Sequence, residues 1–149
     1  MDLQAIADKV EIHELLARYA RGVDTKDWGL FRSVFTPEAI LDYSSAGIAA
    51  GTRDEVAGWF EAGFERIAMT QHFISNIEVD LAPNGDAQRA TVRAMFYNPM
   101  LLPGMDEQSY CGGNYTHEMV RTDEGWKSER LVEENLWFVN RPNMTLETS

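Results

Sequence analysis

The ten residues "HFISNIEVDL", His72 to Leu81, decide the fold of this 149-residue chain. They alternate at period two, with Phe73, Ile77, Val79 and Leu81 on one face and His72, Ile74 and Asn76 on the other. That is a strand pattern, and everything before it follows a different period. Ile6, Val10, Leu15, Tyr19 and Val23 recur at spacings of three to five, the stripe of a helix that Gly22 weakens near its end. Asp27 is placed to cap a second helix carrying Leu30, Phe31, Val34 and Phe35 inward. "TPEA", Thr36 to Ala39, reads as a turn into a short strand over Ile40 to Tyr43. "TRDE", Thr52 to Glu55, is a capping box opening a third helix, with Val56, Trp59, Phe60, Phe64 and Ile67 on its buried side.

After Leu81 the strand period persists. "PNGD", Pro83 to Asp86, carries an Asn-Gly turn signal, and "AQRATVRAMFYNPM" reads as the return strand. A loop with Pro99, Pro103 and Gly104 follows, then a second hairpin around "TDEG", Thr122 to Gly125. Helices first and antiparallel strands after predict an α+β fold. The helices pack in the concave face of a strongly curved antiparallel or mixed sheet, a cone-shaped α+β barrel with room for a ligand. No repeat, low-complexity tract or linker interrupts residues 1–149, so one domain is expected.

Composition narrows the function. The formal net charge is -11, which argues against a nucleic-acid surface or anionic lipid, and favours a small apolar or aromatic ligand. Hydrophobic residues make up 44%, enough for a core without a staple. The single cysteine, Cys111, forms no intrachain disulfide and reads as a small strand residue. No secretory signal or membrane span is evident, so a cytoplasmic location is expected. The three histidines, His13, His72 and His117, lack metal-ligand spacing. "CGGNY", Cys111 to Tyr115, lies in a strand-like stretch without the helix a phosphate loop needs. Neither metal nor cofactor is expected.

His13 falls beside Glu11 and Glu14 on the solvated side of the first helix. His72 is on a mixed strand face that suits either solvent or a polar-lined pocket. Asp24 lies where the first helix should stop. It either caps the next turn or, since Asp27 already caps, is available to orient a histidine. A carboxylate bonded to one imidazole nitrogen fixes the tautomer and leaves the other as a general base. Tyr19 is either plain core or a phenol with a partner in the pocket. The apolar loop residues Met100, Leu101, Leu102 and Met105 suit ordinary packing, a pocket mouth or a subunit contact.

Three stretches, "IHELLARYARGVDTKDWGLFRSVFTPEAILDY", "TQHFISNIEV" and "GGNYTHEMVRTDEGWKSERLVEENLWF", together resemble the SnoaL-like branch of the nuclear transport factor two-like superfamily. The nearest likeness is to the scytalone dehydratase group, with the bile-acid dehydratases and hexachlorocyclohexane dehydrochlorinases. The resemblance implies a deep apolar pocket and a catalytic Asp-His dyad, and "VDTKDW" and "TQHF" place Asp24 and His72 in it. It gives Tyr19 the position of a catalytic tyrosine of the bile-acid enzymes, and Tyr43 that of a substrate-binding tyrosine. Asn98 falls where scytalone dehydratase has a second histidine, and Arg130 corresponds to a pocket arginine of some members. Val23 departs from the tyrosine that scytalone dehydratase carries before its aspartate. The reading is a cofactor-independent lyase that removes water or another small leaving group from a cyclic apolar substrate. An isomerase or cyclase using the same dyad, or a non-catalytic ligand-binding module, is the alternative. The resemblance also implies a homo-oligomer, a trimer or dimer.

Overall fold

The computed structural model describes residues 2–142. Three helices, α1 (Leu3–Asp24), α2 (Trp28–Ser33) and α3 (Arg53–Gly63), belong to the first half. Two strands accompany them, β1 (Phe35–Asp42) and β2 (Ala50–Thr52). The second half is strand: β3 (Met69–Thr70), β4 (Phe73–Leu81), β5 (Arg89–Leu101), β6 (Ser109–Thr122) and β7 (Gly125–Val139). All seven strands form one sheet in the order β2-β1-β7-β6-β5-β3, with β4 also pairing β5. Only β1 and β7 run parallel, so the sheet is mixed. The helices pack on its concave face and the sheet stays open, giving the α+β cone that the change of period predicts.

Side chains written in the sequence start the helices. The Asp27 carboxylate accepts from Leu30 N at 3.0 Å and opens α2. Thr52 and Glu55 close a reciprocal capping box at α3. Inside, Phe31 packs at centroid distances of 5.7 Å from Tyr19, 5.2 Å from Phe35 and 5.7 Å from Phe60. Burying each such ring stabilises the fold by roughly 2–3 kcal/mol.

Several local expectations are corrected. Ile6 and Val10 are exposed, and the buried stripe of α1 runs through Asp8, Ile12, Leu15, Leu16, Tyr19 and Val23. Asp8 is buried because Arg121 grips it with two nitrogens at 2.9 and 2.8 Å while Trp126 Nε1 donates at 3.1 Å. Gly22 does not loosen α1. A Cβ there would lie 2.8 Å from Phe31 N, so the glycine lets α2 close against an intact helix. "TPEA" lies within β1 as a bulge: Phe35 pairs Ser128 and Ile40 pairs Arg130, so five residues advance against two. Pro99 is inside β5. Its carbonyl accepts from Gln71 N where β3 gives way to β4, and its missing N–H faces that same break.

β4 departs from the regular period of its sequence. Ser75 pairs Met95 and Glu78 pairs Arg93, so one extra residue is inserted, and Asn76 has φ 52°. The bulge reverses the alternation. His72 and Ile74 therefore share the concave side with Ile77, Val79 and Leu81, and Phe73 is half exposed on the outside. The histidine faces inward because the strand breaks its own period.

Candidate active site

Asp24 is the last residue of α1, still helical, and its side chain reaches the sheet edge. Its Oδ1 accepts from His72 Nδ1 at 2.6 Å and from Thr70 Oγ1 at 2.9 Å, while Oδ2 accepts from the His72 backbone N at 2.8 Å. Three donors around one carboxylate fix its position and require it as an acceptor. With Nδ1–H given to Asp24, the only lone pair left on the His72 ring is that of Nε2. Asn98 adds a brace: its Oδ1 accepts from Gln71 N at 3.2 Å, one residue before the histidine. Asp24 faces an outer groove on the α1 side, and His72 lines both that groove and the interior cavity.

The cavity, about 200 Å³, lies between the helices and the sheet. Its walls are mainly apolar, from Val23, Phe60, Phe64, Ile67, Met100 and Phe138. Tyr19 and Tyr43 both line it, and they are joined: their hydroxyls are 2.6 Å apart, and Tyr19 OH lies 3.5 Å from Tyr115 OH. Three phenols hold three protons and use two in these contacts, so one O–H remains for a ligand. Burial raises the pKa of all three phenols, so they are donors, never phenolates.

Glu133 is the lining residue that sequence reasoning missed. It is 9% exposed, projects from β7 opposite Tyr115, and makes no side-chain hydrogen bond among the described residues. Burial pushes its carboxyl up to about 8 from 4.5. The signal was present: Leu131 and Glu133 share parity in "LVEEN", which puts an acid on the core side of a strand.

Other candidates fall elsewhere. Arg130 has the opposite parity to Leu131, so it is exposed on the outer face and does not line the cavity. The arginine at the cavity is Arg141, set over the Phe138 ring at 5.4 Å. His13 is exposed at the outer groove. His117 is fully buried outside the cavity, its Nδ1 2.9 Å from Ser128 Oγ, and burial pulls its pKa down to about 3. Cys111 is buried at the cavity, its thiol pushed up to about 11 by desolvation, so it is no thiolate nucleophile. Met100 and Leu102 line the cavity, whereas Leu101 is exposed. "CGGNY" lies in β6, where a Cβ on Gly113 would meet Glu134 O at 1.9 Å and one on Gly112 the Trp137 ring. The glycine pair serves close strand approach at a β7 bulge.

An α+β cone with a carboxylate-held histidine at an apolar cavity defines a class of small-ligand proteins, and comparison with known proteins gives the family. Residues 4–132 match the SnoaL-like domain, and the chain belongs to that family. The uncharacterized protein Rv2910c of Mycobacterium tuberculosis is 30% identical over 134 residues, 89% of this chain and 88% of that one. Among solved structures, a protein of Novosphingobium aromaticivorans assigned as an aromatic ring hydroxylase aligns with TM-score 0.81 and 26% identity, covering 90% of this chain and 93% of that one. One assigned as a scytalone dehydratase, from the same species, aligns with TM-score 0.83 and 18% identity over 95% and 93%. A hexachlorocyclohexane dehydrochlorinase, LinA type 2, aligns with TM-score 0.83 and 19% identity over 99% and 97%. At such identities the last two share the fold with this chain.

Proposed function

We propose that the protein is a cofactor-independent lyase that eliminates water or another small leaving group from a cyclic, largely apolar substrate. The observation that carries this reading is the 2.6 Å contact between Asp24 Oδ1 and His72 Nδ1 at the wall of an apolar cavity. His72 Nε2 takes a proton from carbon beside a carbonyl, and Asp24 stabilises the imidazolium that forms. The one O–H left free by the joined phenols of Tyr19, Tyr43 and Tyr115 donates to the carbonyl oxygen as charge develops. Asn98 serves the site by holding the backbone beside His72. The dehydratase and dehydrochlorinase names among the fold neighbours agree with this chemistry.

The test is a screen of cyclic β-hydroxy ketones and their chloro analogues for loss of water or chloride, with product analysis. Turnover that H72A loses supports the reading. Turnover by H72A at the wild-type rate makes the cavity a binding site, and movement of the double bond of a cyclic β,γ-unsaturated ketone added to the screen, with its oxygen kept, makes the protein an isomerase. We also infer that copies of the chain associate through the outer sheet face. Tyr97 there lies 6.1 Å from Phe73 and 6.0 Å from Trp137, and all three rings are exposed. Light scattering at micromolar concentration should give a dimer or trimer mass, and a monomer mass would refute the association.

A further inference from the structure

We propose that Glu133 is the acid partner of His72, a neutral carboxyl that protonates the departing oxygen, which makes the leaving group a hydroxyl and not a halide. The inference rests on the lyase reading above. The two groups reach the cavity from different strands, His72 just before β4 and Glu133 on β7, with β5 and β6 between them, so a bound ring is bracketed. Glu133 Oε1 is buried without a hydrogen-bond partner among the described residues, and the carboxyl lines the ligand space. A buried polar group without a partner is costly unless a ligand satisfies it. The backbone beside it is pinned: Ser45 Oγ donates to Glu133 O at 2.8 Å and accepts from Asn135 N at 2.8 Å.

Burial, not a neighbouring charge, holds Glu133 in its neutral form. Tyr19, Tyr43 and Tyr115 and the Cys111 thiol are close enough to feel its charge, and all stay protonated. The other titratable groups at this cavity are His72, held by Asp24, and Arg141. Desolvation keeps the Glu133 proton in place to about pH 8.

The step balances. His72 Nε2 takes the proton on carbon, and the C–H electron pair becomes the new C=C bond. The C–O bond breaks with its pair on oxygen, and the Glu133 O–H proton completes water. Imidazolium and carboxylate remain, and a proton passes from the first to the second through the released water. Chloride leaves as a stable anion and needs no such proton.

The experiment therefore compares 3-hydroxycyclohexanone with 3-chlorocyclohexanone in wild type, E133Q and H72A. E133Q should lower water loss by roughly 10²–10⁴-fold. It should leave chloride loss within a few-fold, whereas H72A lowers both. E133Q that spares water loss, or lowers both reactions equally, overturns the role of Glu133 while the base assignment stands. H72A without effect on either overturns the lyase reading. Independently of turnover, the infrared difference between wild type and E133Q at pH 6 should contain the carbonyl band of a protonated carboxyl. An ionised carboxylate there overturns the proposal.

Discussion

Replacing Glu133 by glutamine should change the shape of the stability curve against pH, because two buried groups pull it in opposite directions. The Glu133 carboxyl ordinarily ionises at 4.5 and in the fold at about 8. Its folded value is raised, so its stabilising contribution is complete below 4.5 and is lost as pH rises to 8. His117 ordinarily titrates at 6.5 and in the fold at about 3. Its folded value is lowered, so its contribution is complete above 6.5 and is lost as pH falls to 3. One proton of difference is worth roughly 1.4 kcal/mol per pH unit. Between 4.5 and 6.5 the slopes cancel, and the curve should be flat. From pH 6.5 to 8 only Glu133 acts, and the protein should lose about 2 kcal/mol. Of these two groups only His117 acts from 4.5 down to 3, with a similar loss, and below 3.8 Asp8 adds to it. E133Q removes the alkaline limb, so stability should rise from pH 4.5 to 6.5 and then level off. Urea denaturation followed by circular dichroism across pH 4 to 9 measures this. A wild-type curve equally steep in E133Q between pH 6.5 and 8 would refute the neutral buried carboxyl.

Asp24→Asn has a specific fault. All three of its neighbours are donors, so the amide NH₂ must face the His72 backbone N–H, the imidazole N–H or Thr70. The fold should persist while turnover falls roughly 10²–10⁴-fold, read by kinetics beside near-UV circular dichroism. Asp8→Asn should destabilise by about 2–3 kcal/mol, since it frees Arg121 from a two-nitrogen grip; urea midpoints check it. Arginine holds the Asp8 carboxyl down to about 2 from 3.8, so its contribution is complete above 3.8 and lost as pH falls to 2. Gly113→Ala should cost about 3 kcal/mol because its Cβ meets Glu134 O, and a thermal shift reads it.

The helix starts were legible because caps are local: Asp27 and Thr52–Glu55 specify them within four residues. The strand half was legible from its period, and the placement of Asp24 and His72 from their motifs. The bulges at Asn76 and Thr36 to Ala39 were not, since one irregularity shifts every later side chain and leaves the composition unchanged. For the same reason Phe73, expected beside Ile77, lies on the outer face. Arg130 and Glu133 show the limit at the site. Each lies in a charged run on β7, and only the parity set by buried Leu131 separates the outer arginine from the inner acid. Asn98, expected at the substrate, does line the cavity, but its Oδ1 accepts from Gln71 N, a contact between β5 and the β3–β4 break that no local pattern announces.

The central claim is that His72, held by Asp24, removes a proton from carbon at the cavity. Solvent exchange tests it without regard to the leaving group: 3-hydroxycyclohexanone is incubated in D₂O and loss of the protons beside its carbonyl is followed by NMR. The wild-type protein should accelerate exchange, and H72A should lose roughly 10²-fold or more of that acceleration. Equal acceleration by H72A, or none by the wild type, would contradict the account.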